Sequence, residues 1–323
     1  MSGLLARQTS DRVDQRGERE LIAQLLYAMG GACPAPPRGP GSDCAALSTY
    51  GERSFRIATV DGVVFGRHFD LASAPEAVGH KLVHRNLSDL AAAGAMPSDA
   101  MLSLVLGGDV AQPWLDAFAR GVGEAALRAG LEIVGGDVAR GPDGHFAAHL
   151  ATTGFAHRIL ARQGAQADDV LFVTGQLGGS RLGHHLNFRA RLAEGEWLCG
   201  QSEVHACTDL SDGLATDLPG LLGATLGATI NQAALPIAEA AQKLSKSDGI
   251  PAAEHAWVDG EDHELLFSVA APTADWLESH FRKAFPQTLL TRIGTVTSEA
   301  GLREASGATL PLHGFQHFGP KSR

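Results

Sequence analysis

The chain has 323 residues, more than one hydrophobic core usually holds, which predicts two domains. Its 26 basic and 36 acidic residues give a formal charge of −10, which excludes a surface that coats nucleic acid. No apolar stretch is long enough to span a bilayer, the four cysteines lack disulfide or zinc spacing, and Met1–Gly30 has no signal-peptide pattern. We therefore predict a cytoplasmic protein with no membrane partner.

The first half of the chain mixes predicted helices and strands. Ser73-Ala74-Pro75-Glu76 combines an N-cap residue, an early proline and a capping-box glutamate, which predicts a helix from there to about Ala93, closed by Gly94. The other predicted elements are a helix at Glu18–Met29, a strand at Phe55–Val64, a strand at Met101–Leu106, a helix at Pro113–Ala129 and strands at Leu131–Val134 and Ala148–Ala156.

A second set of elements follows the segment Arg158–Asp169, whose Gly, Arg and Gln content is typical of a hinge. We therefore predict an N-terminal domain at residues 1–157 and a C-terminal domain at residues 158–323. The predicted elements of the second domain are a strand at Asp169–Val173, a helix after Ser211-Asp212-Gly213, a helix near Ile237–Leu244, a strand at Leu265–Val269, a helix at Thr273–Phe285 and a strand at Leu289–Val296.

Aspartates recur at the predicted ends of strands and helices, most of them beside glycine: Asp43, Asp61, Asp89, Asp137, Asp209 and Asp212. Each of them alone fits a turn or a cap better than a ligand, because Asp hydrogen-bonds its own backbone in turns. Asp89 differs, since it lies well inside a predicted helix, where Asp has poor propensity and no capping role. Helical spacing places it on the face of Arg85 and Asn86, beside an alanine-rich stretch that indicates close packing.

A carboxylate in such a place needs a cation. Hard oxygen ligands select Mg²⁺ or Ca²⁺, and Mg²⁺ is commonly shared between a few carboxylates and substrate phosphates. Two like charges about 4 Å apart repel by about 4 kcal/mol at an effective dielectric of about 20. Several carboxylates around a polyphosphate would therefore require divalent ions between them. The chain has no Gly-x-x-x-x-Gly-Lys-Ser/Thr motif, so a P-loop is not its phosphate-binding device.

Six sequence blocks, in order along most of the chain, resemble those of the thiamine-monophosphate kinases, in the wider family that includes aminoimidazole ribonucleotide synthetase. The blocks are Gly41–Leu47, Thr59–Phe69, Asn86–Ala95, Gly135–Gly141, Asp209–Leu214 and Gly260–Leu265. The resemblance implies an α+β fold with a mixed α/β N-terminal domain that pairs with its copy in a homodimer. It also implies an α+β C-terminal domain that closes a cleft carrying ATP.

The resemblance implies roles for individual residues as well. The Mg²⁺ ligands would be Asp43, Thr59, Asp61, Asp89, Asp137, Asp209 and Asp212. ATP would contact Gly136, Asp137, Arg162 and Ser211, and thiamine monophosphate would contact His68, Glu261 and Phe315. Without the resemblance, His68 and Phe315 would serve equally well as packing residues, Arg162 as a surface charge and Glu261 as a turn residue.

The implied activity is Mg²⁺-dependent, direct in-line transfer of the ATP γ-phosphoryl group to thiamine monophosphate, giving thiamine diphosphate and ADP. A phosphate monoester is already a competent nucleophile at neutral pH, so we expect no general base and no phosphoenzyme. The chain departs from the family pattern at Ser42, Val60, Phe65, Val138, Asp259 and His263. Because Phe65 lies close to His68 in sequence, these departures bear on the choice of acceptor more than on the metal chemistry.

Two other interpretations stay open at this point. The first is another ATP-dependent enzyme of the wider family, acting on a carboxyl, amide or selenide acceptor. The second is a non-catalytic relative that binds nucleotide and has lost activity through changes such as Ser42 and Val60. The acceptor that triggers release of ADP distinguishes a thiamine-monophosphate kinase from another enzyme of the wider family. Binding of Mg-ATP without turnover on any acceptor would identify the non-catalytic relative.

Overall fold

The structure, a computed structural model, describes residues 44–47 and 55–310. Asp43, Phe315 and the helix predicted at Glu18–Met29 lie outside the described residues. The elements of the first half are β1 (Ala45–Leu47), β2 (Phe55–Val64), α1 (Pro75–Ala92), β3 (Met96–Leu106), α2 (Gln112–Ala129), β4 (Glu132–Arg140) and β5 (Phe146–Ala156).

The elements of the second half, with short 3₁₀ turns between some of them, are β6 (Val170–Thr174), α3 (His184–Asn187), α4 (Leu192–Cys199), β7 (Val204–Asp209), α5 (Leu214–Leu222), β8 (Gly227–Ile230), α6 (Glu239–Asp248), α7 (Ala252–Val258), β9 (Leu265–Val269), α8 (Ala274–Ala284), β10 (Leu290–Thr297) and β11 (Gly301–Glu304). None of the helices in the described part of the chain is both long enough and apolar enough to cross a membrane.

The strands of the first half form a sheet in the order β1-β2-β5-β3-β4. Its first three pairings are antiparallel, and β3 and β4 run parallel, as expected for strands joined through the crossover helix α2. One face packs against α1 and α2 around a core that includes Ile57, Leu87, Phe118 and Leu150. No element in the described part of the chain covers the other face.

The strands of the second half form a sheet in the order β11-β8-β10-β6-β9-β7. Every residue of β6 and β9 is buried, because apolar clusters cover both faces of the sheet. One cluster includes Leu218 and Trp257, and the other includes Leu277 and Phe281. The predicted α+β fold is confirmed, and the structure builds it on two sheets, one in each half of the chain.

Helix α1 packs in both halves of the molecule. Its Leu87 lies in the core of the first sheet, whereas Ala91 and Ala92 pack in a cluster under the second sheet. Its crossing with α2 is close, because a Cβ at Gly79 would overlap the carbonyl oxygen of Phe118 and one at Gly121 would overlap that of Glu76. The alanine-rich stretch beside Asp89 is thus the part of the helix that enters the interface between the two halves.

The start of α1 differs from the prediction. The helix begins at Pro75 with Ala74 as its N-cap, and no side chain caps it. The Ser73 hydroxyl instead donates to Asp70 Oδ1 over 3.0 Å, which stabilises the preceding turn. The predicted proline at the first helical position is confirmed, as is the stop before Gly94, whose φ is +70°.

Two aspartates that we expected at strand ends lie inside strands. Asp61 pairs with Leu150 in the interior of β2, and Asp137 pairs with Ser103 in the interior of β4. Strand β4 extends well beyond the predicted Leu131–Val134, because β3 supplies a ladder partner for the glycine-rich segment that follows. Glycine and aspartate favour turns locally, and the sheet outweighs that preference here.

A histidine on α1 makes the junction between the two halves sensitive to acid. The imidazole Nδ1 of His84 accepts a hydrogen bond from the backbone N–H of Ala190 over 3.2 Å. Burial and the neighbouring His80 lower the pKa of His84 to about 3. The neutral ring therefore stabilises the fold above the unfolded pKa of about 6.5, and this contribution is lost as the pH falls toward about 3.

We expect the free energy of unfolding to fall between pH 7 and pH 5 by about 2 kcal/mol more in the unaltered protein than in His84→Gln, whose side chain does not titrate. Urea unfolding at both pH values measures the difference. His157→Gln, at an exposed histidine, is the control and should retain the full pH dependence. Equal pH dependence in His84→Gln and the unaltered protein would contradict the assignment.

Candidate active site

The first wall of the site forms where α1 lies across β2. Alternation along the strand turns Thr59 and Asp61 toward the helix. The Thr59 hydroxyl donates to Asp89 Oδ2 over 2.6 Å, and the backbone N–H of Asp61 donates to Asn86 Oδ1 over 2.9 Å. The carboxylate predicted to lie inside a helix is therefore held against the strand that carries the second predicted ligand.

The second wall forms where two segments of the C-terminal half pair beyond the end of β7. The N–H of Glu261 donates to the carbonyl of Ser211 over 2.7 Å, and that of His263 donates to the carbonyl of Leu210 over 2.8 Å. Glu261 and His263 have φ values of 66° and 51°, a left-handed conformation that is uncommon for residues other than glycine. Backbone strain of this kind concentrates at functional sites, where the surrounding structure maintains it.

Side chains of α1 join the two walls. The Ser88 hydroxyl donates to Asp209 Oδ2 over 2.6 Å, and Lys81 Nζ donates to Glu261 Oε1 over 2.6 Å. Lys81 is completely buried, and its ammonium also contacts the carbonyl of His68 and Nδ1 of His185, each at 2.9 Å. One helix therefore sets the positions of acidic groups from both halves of the chain.

Between the walls lies a cavity of about 500 Å³. Most of the residues implied by the family resemblance line it: Asp61, His68, Asp89, Asp209, Ser211, Asp212 and Glu261. Thr59 reaches the cavity through its hydrogen bond to Asp89. The structure thus gathers residues that lie as far apart in sequence as Asp61 and Glu261.

Besides Thr59, three of the predicted residues that the structure describes do not line this cavity. Asp61, Leu150, Leu102 and Gly136 form one row across four neighbouring strands. Gly136 is therefore three strand spacings, or about 14 Å, from Asp61 within one chain. Asp137, the next residue along, belongs to the neighbouring row and so points to the opposite face of the sheet. Arg162 lies beside α5, with its Cδ 3.6 Å from where a Cβ of Gly220 would be.

The cavity wall near α5 concentrates negative charge. Burial raises the pKa of Asp217 well above its usual value, and the neighbouring charges of Asp212 and Asp209 raise it further. Asp217 also accepts a hydrogen bond from the backbone N–H of Asp212 over 3.0 Å. Arg162 opposes this charge by lowering the pKa of Asp217. The pKa of Asp209 is lowered chiefly by its contact with His263, and Arg162 lowers it further.

The donor set fits magnesium that is shared with phosphate. Among the residues that the structure describes, no three His, Cys, Asp or Glu side chains are placed to hold a metal ion by themselves. Mg²⁺, however, typically binds through one or two carboxylates and completes its coordination with phosphates and water. The cavity supplies hard carboxylate oxygens from Asp61, Asp89, Asp209 and Asp212.

Sequence reasoning missed several residues of the site, chiefly Lys81, Ser88, Asp217 and His263 as a partner of Asp209. Lys81, Arg85 and Ser88 are spaced by four and three residues, which places them on one face of a helix. This spacing, ending beside Asp89, is a signal that could have identified the face. Nothing local to Asp217 distinguishes it from a surface aspartate of an amphipathic helix.

The chain matches two family models, the N-terminal domain of AIR synthase related proteins at residues 41–156 and the C-terminal domain at residues 149–305. It is 36% identical to a thiamine-monophosphate kinase of Rhodopirellula baltica over 82% of this chain and 84% of that protein. It is 31% identical to the thiamine-monophosphate kinase of Escherichia coli strain K12, over 94% of this chain and 98% of that protein.

Solved structures agree with these relatives. AaThiL complexed with AMPPCP and TMP superposes with a TM-score of 0.81 at 26% identity, covering 98% of this chain and all of that one. Thiamine monophosphate kinase from Aquifex aeolicus gives a TM-score of 0.76 at 25% identity, over 90% of this chain and 97% of that one. Escherichia coli HypE, a hydrogenase maturation protein, shares the fold at 20% identity and a TM-score of 0.67. The chain belongs to the thiamine-monophosphate kinase family of AIR synthase related proteins.

Proposed function

We propose that this protein transfers the γ-phosphoryl group of ATP directly to thiamine monophosphate in a Mg²⁺-dependent reaction, giving thiamine diphosphate and ADP. The observation that carries the proposal is the cavity between the two halves of the chain, where Asp61, Asp89, Asp209 and Asp212 converge. Relatives named thiamine-monophosphate kinase, which match this chain over most of both lengths, support the proposal. A cytoplasmic location, where ATP is available, is part of the proposal.

In this proposal residues 1–157 form the domain that holds metal and nucleotide, and residues 158–323 form the domain that closes the cleft. The Mg²⁺ ligands come from Asp43, Thr59, Asp61, Asp89, Asp209 and Asp212, and ATP contacts Gly136, Arg162 and Ser211. Asp137, which points to the opposite face of its sheet, does not reach this cavity within one chain. Bound Mg²⁺ would neutralise charge on the transferring phosphoryl group and the acceptor oxygens. The residues themselves orient these groups and keep them in line for transfer.

The acceptor binds on the side of the cavity formed by His68 and Glu261, with Phe315 as a further contact. The Nδ1 of His68 accepts a hydrogen bond from the N–H of Val64 over 2.9 Å, which fixes the plane of its ring. The carboxylate of Glu261 is held by Lys81. Burial alone would raise the pKa of Glu261, but Lys81 and Arg85 outweigh burial and leave it below its usual value. Glu261 therefore stays ionised and can bind a positively charged substrate ring.

Release of ADP in the presence of Mg-ATP tests the proposal, with thiamine monophosphate as the first acceptor and carboxyl, amide and selenide acceptors in parallel. We expect release that depends on thiamine monophosphate and yields thiamine diphosphate. Release with a different acceptor alone would favour another enzyme of the wider family. Binding of Mg-ATP without turnover on any acceptor would favour a non-catalytic relative.

We further propose that the uncovered face of the first sheet pairs with a second copy of the chain. Val60 and Met101 lie in one row across that face through Ala151, and they are 64% and 57% exposed. Phe155 adds a ring that is 41% exposed on the same face. An apolar sheet face without a covering layer is typical of an interface.

We expect the unaltered protein to have twice the 33.7 kDa mass of the chain in solution, and Met101→Glu to be largely monomeric, because a carboxylate would be buried in the apolar interface. Size-exclusion chromatography with light scattering measures both masses. Leu127→Glu is the control, since Leu127 is 82% exposed on α2, the helix that covers the other face of the sheet. A monomeric unaltered protein would contradict the proposal.

A further inference from the structure

Arg85 is a buried cation at the wall of the cavity that the roles above leave unused. The residue is 9% exposed and lies on α1 one turn after Lys81. Its guanidinium Nε donates to Asp61 Oδ2 over 2.7 Å. Its NH1 group is buried and has no hydrogen-bond partner among the described residues. Glu261 Oε1 lies 3.9 Å from it, beyond hydrogen-bond distance.

The Arg85 side chain stays positively charged. Burial alone would lower the pKa of Arg85, but the carboxylates of Asp61 and Glu261 outweigh burial and raise it. A guanidinium is planar, presents its donors in a fixed fork, and suits phosphate groups that accept two hydrogen bonds. Buried polar groups in folded proteins are almost always paired, so an orphaned donor at a cavity wall indicates a ligand atom.

Other cations at the cavity are less suited to this task. The three contacts of the Lys81 ammonium, to His68, His185 and Glu261, occupy its donors. Arg67 and Arg181 line the cavity but are exposed, so solvent screens their charge. Arg85 alone combines burial, a fixed position on a helix and a donor left over for a ligand, among the cations described at this wall.

We propose that Arg85 binds the phosphate group of the acceptor through NH1 while its Nε holds Asp61 in place. The inference rests on the proposed function and extends it, naming a residue that fixes the attacking phosphate. The acceptor is favoured over the nucleotide because the free NH1 points toward Glu261, the residue that we assign to the acceptor side.

Calorimetric titration with thiamine monophosphate, with inorganic phosphate, and with AMPPCP in Mg²⁺ tests this binding without turnover. The first two titrations are done in EDTA, so that metal-mediated binding is absent. We expect Arg85→Gln to weaken binding of thiamine monophosphate and of phosphate by about 10- to 100-fold and to change AMPPCP binding by less than about 3-fold. Arg120→Gln, which removes an exposed arginine paired with Glu76, should match the unaltered protein in all three titrations.

Arg85→Lys separates ligand binding from simple neutralisation of Asp61. Lysine keeps the positive charge beside Asp61 but lacks the second arm of the fork, so we expect it to lose most of the affinity lost in Arg85→Gln. The proposal would be overturned if Arg85→Lys bound phosphate and thiamine monophosphate within twofold of the unaltered protein. It would also be overturned if the variants lost affinity only for AMPPCP. Arg85-dependent phosphate binding in a protein that does not phosphorylate thiamine monophosphate would leave the anion site standing and reject only the proposed function.

Discussion

We expect turnover to fall by about 10²- to 10³-fold when Asp89 or Asp212 is replaced by asparagine, while the fold is retained. Asparagine matches aspartate in shape, and its Oδ1 can still accept the hydrogen bond that Asp89 receives from the Thr59 hydroxyl. At Asp212 the described link to Asp217 runs through the backbone N–H, which the substitution leaves in place. What each variant loses is negative charge at the cavity wall, and with it the affinity for a divalent ion.

The initial rate of ADP release at saturating thiamine monophosphate measures this loss, and circular dichroism with thermal unfolding checks the fold. Raising the Mg²⁺ concentration should recover part of the activity, because a weakened metal site fills at higher concentration. Asp116→Asn is the matched control, since Asp116 is exposed on α2 and hydrogen-bonds the side chain of Gln112. Rates within threefold of the unaltered enzyme for Asp89→Asn and Asp212→Asn would reject the metal assignment.

Lys81→Met should lower the free energy of unfolding by about 3 kcal/mol, the lower end of the range for a buried ion pair that loses one partner. Methionine fills a similar volume but leaves the Glu261 carboxylate without its 2.6 Å cation. We expect the loss of stability to be at the lower end because the Glu261 side chain is 22% exposed to water and still has the Arg85 guanidinium 3.9 Å away. The pair joins α1 to the second half of the chain, so the interface between the halves weakens as well.

Urea unfolding of Lys81→Met, Glu261→Gln and the double variant gives the coupling energy between the two residues. We expect the double variant to be less destabilised than the sum of the single variants, because removing both charges leaves neither unpaired. Lys243→Met is the control for an ion pair in water, since Lys243 and Glu239 are 63% and 79% exposed, and its stability should hardly change. Additive losses at Lys81 and Glu261 would show that the contact carries no energy of its own.

Local patterns predicted the elements whose own residues determine them. Helix α2 ends at Gly130 in a left-handed conformation, as expected from a glycine after an apolar helical pattern, and the strands Phe55–Val64 and Leu265–Val269 have the predicted bounds. The short helices α3, α4 and α7 were not predicted, because segments of four to eight residues carry too little periodicity. The capping box at Ser73 also failed, since the serine has a competing partner in Asp70.

Some residues of the candidate site could likewise be predicted from local sequence, and others could not. Asp89 could be singled out from sequence because an aspartate inside a helix violates local propensity, and the structure places it at the cavity against Thr59. The contacts of Lys81 with Glu261 and of Ser88 with Asp209 could not be predicted from local sequence segments. Lys81 and Glu261 are separated by 180 residues, and no local pattern specifies which distant group a side chain will meet.

The amino-acid sequence by itself determined the acidic motifs, the long helix that carries Asp89 and the exclusion of a P-loop, because each depends on residue type and short-range spacing. Only the tertiary structure decided which carboxylates share a cavity and that Asp137 lies on the opposite face of its sheet. It also decided that Arg85 lies at the cavity wall with a donor that no described residue pairs. These features depend on strand order and on the packing of α1 between two cores, where burial and charge are set by residues far away in the chain.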